Sequence, residues 1–189
     1  MARCFGDSDP LYAAYHDEEW GRPVTTETGL YERLSLEGFQ SGLSWLTILK
    51  RREGFRSAFA GFEPEVVAQF GETDVRRLLA DEGIIRHRGK IEATIANAGV
   101  VLTLREQGRP LQELIWRYHE PGGTAPESWQ TVPAQSDASV ALAKELRSHG
   151  WRFLGPTTAY AAMQACGLVN DHLTTCPARV TTERARSTL

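Results

Sequence analysis

The chain has 189 residues, a formal net charge of −3, and hydrophobic and charged fractions of 41% and 24%. These values fit one globular domain with a filled core and exclude a disordered chain or two large domains. No apolar run reaches membrane-spanning length, MARCFGDSDP has no apolar signal core, and the three Cys lie far apart, so the expectation is a cytoplasmic protein with reduced thiols and no disulfide framework.

In chain order, CFGDSDPLYAAYHDEEWG comes first. It spaces Cys4 and His16 as C-x11-H and puts Tyr12 and Tyr15 on one helix face. TGLYERLSLEGFQSGLSWLTILKRREGFRSAF (28–59) reads as two or more helices broken near Gly38 and Gly42. It carries Glu37 among Leu34, Leu36, Phe39 and Leu43, where a carboxylate is either on a wet face or buried with a partner. Trp45 lies eight residues on, on a similar side of an unbroken helix. EPEVVAQF puts Pro64 in a first turn, with Gly71 as its stop, and TDVRRLLADEG starts a helix with Thr73 as N-cap.

IIRHRGK follows. Residues 1–40 hold three Arg against eight Asp and Glu, whereas 84–110 hold Arg86, Arg88, Lys90, Arg105 and Arg109 against Glu92 and Glu106. The mildly acidic total therefore leaves room for a local basic face, and an ordinary solvated loop explains the same run. Residues 119–135, with three Pro and two Gly, read as an exposed connector, and ASVALAKELRSHG as a helix ended by Gly150.

WRFLGPTTAYAAMQACGLVNDH reads as a tight turn, Gly155-Pro156-Thr157-Thr158, opening an apolar helix whose first backbone N–H groups suit a phosphate. Cys166, inside that apolar stretch, reads as a small core residue. GLVNDHLTTC spaces His172 and Cys176 as H-x3-C, and with Cys4 and His16 these offer two thiolates and two imidazoles, a set that suits tetrahedral zinc. Spacing alone fits two unrelated pairs equally. A closed four-ligand set would be structural, tying distant ends of the chain together. The segment from Arg179 reads as a polar, disordered tail. Repeats are absent, and the pattern predicts an all-α fold, a compact globule of short helices.

Four segments, YHDEEWG, LEGFQSGLSW, GIIRHRGKI and MQACGLVNDH, resemble in this order the signature segments of the DNA-3-methyladenine glycosylase I family, the zinc-containing branch of the helix-hairpin-helix glycosylases. The resemblance runs from Arg3 to about Cys176. It implies one glycosylase domain over 1–178, its termini joined by a structural Zn(2+) on Cys4, His16, His172 and Cys176, and a tail over 179–189. It implies base excision repair on duplex DNA containing alkylated bases, with free 3-methyladenine as product, by a cytoplasmic monomer without membrane association.

The family's base-recognising carboxylate falls on Glu37, here also taken as the catalytic residue, and its base-pocket aromatics on Tyr12, Tyr15, Trp20 and Trp45. Its wedge falls on Leu43 beside Gly42, and its helix-hairpin-helix DNA-binding element on Gly155, Pro156, Thr157 and Thr158. Arg86, Arg88 and Lys90 are expected on phosphates. Two departures stand out: Phe5 and Gly6 occupy a shortened segment where the family usually has a Trp, and Phe39 stands where Gln is common.

The chemistry suits these residue types. A base methylated at N3 is cationic while attached to the sugar, stacks on electron-rich rings, and offsets the cost of a buried carboxylate. Its positive charge weakens the sugar–base bond, so little acid assistance is needed. Asp171 precedes a predicted ligand and is read as supporting the site rather than as a catalytic base. Thr157 stands where lyase-competent relatives carry a Schiff-base Lys, which predicts a monofunctional enzyme. A non-catalytic zinc-stabilised DNA-binding module, or the same enzyme with a broader base range, are the alternatives.

Overall fold

The structure, a computed structural model, describes residues 3–188. Met1, Ala2 and Leu189, at the ends of the predicted domain and tail, lie outside the described residues. Helix α1 spans Pro10–Glu18, α2 Glu27–Gln40, α3 Trp45–Leu49, α4 Arg52–Ala58, α5 Pro64–Val67 and α6 Glu72–Ala80. Helix α7 spans Arg88–Glu106, α8 Leu111–Trp116, α9 Asp137–Ser148, α10 Pro156–Ala165 and α11 Ala178–Arg186. Among the described residues there is no strand, in agreement with the all-α expectation, and no helix is long and apolar enough to cross a membrane.

Helix α2 organises the core. Thr26 caps it, its hydroxyl accepting from the Gly29 N–H at 3.3 Å, and every residue from Leu30 to Phe39 is buried. It is enclosed because α3, α7, α8 and α10 pack around it. The Tyr31 hydroxyl donates to the Thr94 carbonyl of α7 at 2.8 Å, and the Trp116 indole of α8 donates to the Val24 carbonyl at 2.9 Å. Phe39, Phe55, Phe59 and Phe62 form a run of rings with successive centroids 4.6, 6.4 and 5.5 Å apart. Each such side chain taken fully out of water contributes roughly 1.5–3 kcal/mol.

A helix buried on all sides has to settle its polar residues. Glu32 pairs with Arg56 at 2.9 Å, and Arg33 with Glu19 at 2.7 Å, Glu19 also holding Arg52 at 2.6 Å. Glu37 has no such partner among the described residues.

Three sequence expectations change. Gly38 does not break α2, which runs through it to Gln40; a Cβ there would make ordinary contact with the Phe153 carbonyl oxygen, 3.5 Å away. The break comes at Ser41–Ser44, where Gly42 takes φ +85°. Thr73 is not an N-cap: α6 begins one residue earlier, and the Asp74 carboxylate accepts from the Gly71 N–H at 3.1 Å, closing that end instead. The tail is not a frayed coil over its described residues, since α11 docks through Thr182 and Arg186, both buried. Arg186 donates to the carbonyls of Gly167 at 2.7 Å, Leu168 at 3.0 Å and Glu120 at 2.6 Å, which satisfies carbonyls that a polar-looking sequence gives no hint of.

The connector between α8 and α9 is largely exposed but contains a short 3-10 turn, Trp129–Thr131. After it, Ser136 caps α9, accepting from the Ser139 N–H at 3.2 Å, and Gly150 at φ +95° ends the helix as expected. The tight turn into α10 is then fixed from α7: the Asn97 side chain accepts from the Arg152 N–H at 2.8 Å and donates to its carbonyl at 3.2 Å.

Candidate active site and metal cluster

The C-terminal half of α2, the start of α3, helix α1 and one face of α10 converge on a pocket of about 140 Å³. The predicted Tyr12, Tyr15, Trp20, Glu37 and Trp45 all line it. Tyr15 and Trp45 face each other with centroids 5.4 Å apart, and Tyr12 lies 6.4 Å from Tyr15 in a stacked arrangement. The Phe5 ring is also in the wall, 4.8 Å from Tyr12 and 5.0 Å from Trp20. The shortened segment after Cys4 therefore still delivers an aromatic.

Besides Ala161, three liners were missed by the sequence reading. Trp129, from the connector, packs edge-on to Phe5 at 5.8 Å; its only sequence signal was a large aromatic in a stretch otherwise rich in Pro, Gly and polar residues. Gln40 and Gln164 also line the pocket, and their positions in apolar helices disguised them.

Glu37 is 5% exposed, and its carboxylate finds no hydrogen-bond donor among the described residues. Burial pushes its pKa up to about 8, opposed by the Arg33 guanidinium. Arg33 is already engaged by Glu19 and lies 5.7 Å over the Tyr15 ring, so its help is partial. The indole N–H of Trp45 is buried and likewise unpaired among the described residues. The pocket thus presents electron-rich faces and an unneutralised acid, an arrangement that favours a flat cationic ligand.

Asp171 stands behind the pocket. Its Oδ2 accepts from the Tyr160 hydroxyl at 2.7 Å and from Gln164 Nε2 at 2.8 Å.

Cys4, His16 and Cys176 bring their donor atoms within 4.8 Å of one another. The His172 ring lies 5.1 Å from that of His16 and is fully buried. His172 Nδ1 is turned to Asn170 Oδ1 at 2.9 Å, which makes Nδ1 the donor and leaves Nε2 as a lone pair, buried and without a partner among the described residues. His16 Nδ1 is turned to Asp17 at 2.8 Å, and Arg3 holds that carboxylate at 2.7 Å. The Leu173 N–H donates to Cys4 Sγ at 3.2 Å. Two thiols, two imidazoles, an orphaned lone pair and an outer ring that orients both imidazoles fit a tetrahedral metal with N and S ligands.

The predicted DNA-facing groups divide. Leu43, 39% exposed, tips the turn two residues before Trp45. In the hairpin, Pro156 opens α10 with Gly155 as N-cap, and the backbone N–H groups of Thr157 and Thr158 find no acceptor among the described residues. The Phe153 ring joins this turn to His87, 6.1 Å away, so the hairpin and the 84–90 segment are neighbours.

Lys90, however, is not a surface cation. It is buried and donates from Nζ to the carbonyls of Phe39 at 2.9 Å and Ser41 at 2.7 Å, because the last carbonyls of α2 lack intrahelical partners. Arg88 is exposed but engaged by Glu72 at 3.1 Å and Glu92 at 3.0 Å. Arg86 is the freest of the three, 3.9 Å from Glu82.

The chain is similar to known proteins over nearly its whole length. The methyladenine glycosylase family matches residues 5–180. DNA-3-methyladenine glycosylase 1 of Escherichia coli (strain K12) is 48% identical over 179 residues, covering 93% of this chain and 96% of that protein. A crystal structure of 3-methyladenine DNA glycosylase I superposes with a TM-score of 0.90 at 47% identity, covering 93% of this chain and 98% of that one. The Staphylococcus aureus enzyme, solved to explain 3-methyladenine recognition, gives a TM-score of 0.89 at 37% identity, covering 93% and 95%. With the family spanning nearly the whole chain and both the pocket and the hairpin within that span, the chain belongs to the methyladenine glycosylase family.

Proposed function

We propose that this DNA glycosylase of base excision repair acts on 3-methyladenine in alkylated duplex DNA by the following route. The damaged nucleotide leaves the stack, which costs a few kcal/mol, and Leu43 fills the gap. The hairpin N–H groups of Thr157 and Thr158, with Arg86, hold the phosphates, and Arg88 joins them on leaving Glu72 and Glu92. The cationic base enters between Trp45 and the tyrosines, and Glu37 ionises against it, accepting hydrogen bonds from its amino group.

The C1′–N9 bond then breaks with its electron pair passing to the base, which departs neutral. Water adds its oxygen to C1′ of the oxocarbenium-like sugar and releases a proton. The hairpin offers Thr157 and no Lys, so the abasic strand stays intact and borohydride traps no adduct.

Cys4, His16, His172 and Cys176 would hold a zinc ion, which would cross-link distant parts of the chain and take no part in the chemistry of the base pocket. The protein works as a cytoplasmic monomer.

The observation that carries this reading is the buried, unpaired Glu37 carboxylate inside an aromatic pocket. A pure DNA-binding module has no use for it. The test is release of free 3-methyladenine from methylated DNA, with 3-methylguanine and 7-methylguanine measured alongside. Release by the wild type, lost or greatly reduced in Glu37→Ala, supports the reading. Equal rates from both proteins overturn the role given to Glu37.

A further inference from the structure

We infer that Gln164 is a second reader of the flipped base, and that Asp171 is the positioning residue that fixes which end of its amide meets that base. The inference rests on the pocket being the base site, as proposed above.

Gln164 lines the pocket from α10, opposite in sequence to the α2 and α3 residues that supply Glu37 and Trp45. An amide is ambiguous by itself, since either end can face a ligand. Here it is not ambiguous. Gln164 Nε2 donates to Asp171 Oδ2 at 2.8 Å, and an ionised carboxylate only accepts. Turning the amide over would set two acceptor oxygens against each other. The Tyr160 hydroxyl donates to the same Oδ2 at 2.7 Å, which holds the carboxylate in place without offering the amide an alternative. Gln164 Oε1 finds no donor among the described residues, so it remains as a free acceptor of fixed orientation.

With Glu37 the pocket lining then includes two side-chain acceptors, and we assign both to the exocyclic group at C6 of the base. An exocyclic amino group at C6, with two N–H bonds, satisfies both. A 6-oxo purine puts a carbonyl oxygen there, which meets lone pairs and leaves both acceptors unpaired. A buried acceptor left unpaired is what gives polar sites their large discrimination. The Asp171–Gln164 pair therefore selects N3-methylated 6-amino purines over their 6-oxo counterparts.

The experiment measures initial rates of 3-methyladenine and 3-methylguanine release from methylated DNA, and compares their ratio across variants. The ratio is independent of the fraction of each preparation that is folded. Gln164→Leu removes the acceptor and is expected to raise the 3-methylguanine to 3-methyladenine ratio by about tenfold, the equivalent of about one hydrogen bond. Asp171→Asn can donate to Oε1, lets the amide turn over, and is expected to raise the ratio several-fold. Tyr160→Phe leaves an acceptor-only carboxylate beside Gln164, and its ratio is expected to stay within twofold of wild type. Ratios unchanged in both Gln164→Leu and Asp171→Asn overturn the inference, as does a shift in Tyr160→Phe equal to that in Asp171→Asn. Failure of the underlying reading looks different: the wild type itself would release no 3-methyladenine.

Discussion

Replacing Glu37 by Gln should make the protein more stable, and increasingly so as pH rises. The carboxyl is 5% exposed, and burial raises its pKa from 4.5 to about 8. In the unfolded chain the group ionises through pH 4.5; in the folded protein it stays protonated until about pH 8. A group whose folded pKa is raised contributes stability that is complete below the unfolded value and is lost as pH climbs to the folded one. Each pH unit in that window costs about 1.36 kcal/mol, so the full span amounts to about 4–5 kcal/mol, and local relaxation or an entering water lowers it to about 2–4 kcal/mol.

Gln keeps the shape and cannot ionise. Urea denaturation of both proteins at pH 5, 7 and 8.5 should therefore show a stability difference, variant minus wild type, that grows by about 2–4 kcal/mol across the series. Parallel pH profiles would refute the reasoning, because they would mean that the folded carboxyl titrates where the unfolded one does.

Three further outcomes are expected. Trp45→Ala should slow single-turnover release of 3-methyladenine about tenfold, since stacking and cation–π attraction at one ring contribute roughly 1–3 kcal/mol; a change below twofold would remove Trp45 from base binding. His172→Ala should lose the bound metal by elemental analysis and lower the melting temperature by roughly 10 °C, at about 2–4 °C per kcal/mol for a chain this size, while retaining release per folded molecule at 20 °C. Lys90→Met should destabilise the fold by about 2–4 kcal/mol through two lost charge-assisted bonds and leave the salt dependence of DNA binding unchanged, whereas Arg86→Ala should reduce that log–log slope by about 1.

What the sequence made legible was residue chemistry held in linear motifs. Glu37, Trp45 and the two tyrosines were assigned to the base site by the resemblance of their segments to a family's signature motifs, and they meet in one pocket. The two halves of the cysteine–histidine cluster were visible as spacings, and three of the four donors sit within 4.8 Å. The illegible part depended on tertiary partners. Lys90 looks like any loop cation until the unpaired carbonyls of Phe39 and Ser41 are brought against it. Arg186 looks like tail until the carbonyls of Gly167 and Leu168 are seen facing it. Trp129 belongs to a connector whose periodicity says nothing, and only its packing on Phe5 and Trp20 assigns it to the pocket. Gly38 was misread because a helix-interior glycine normally marks weakness, whereas here it keeps helical geometry inside a helix buried on all sides.

The cluster of Cys4, His16 and Cys176 also has a meaning in time. Its members are separated by up to 172 positions along the chain, so during synthesis the first two leave the ribosome long before the third exists. At 5–20 residues per second that wait is on the order of ten seconds or more. Helix α1 carries His16 together with Tyr12 and Tyr15, so the wall of the base pocket is mounted on an element whose anchor arrives last. A chain interrupted before Cys176 would have its core helices α2 to α10 and Glu37, with α1 held by its packing on α3 and by the Asp9–Lys50 pair but without the cluster contacts. The contact of Cys176 Sγ with His16 Nε2, 3.5 Å apart, is therefore among the last fastenings of that wall to form.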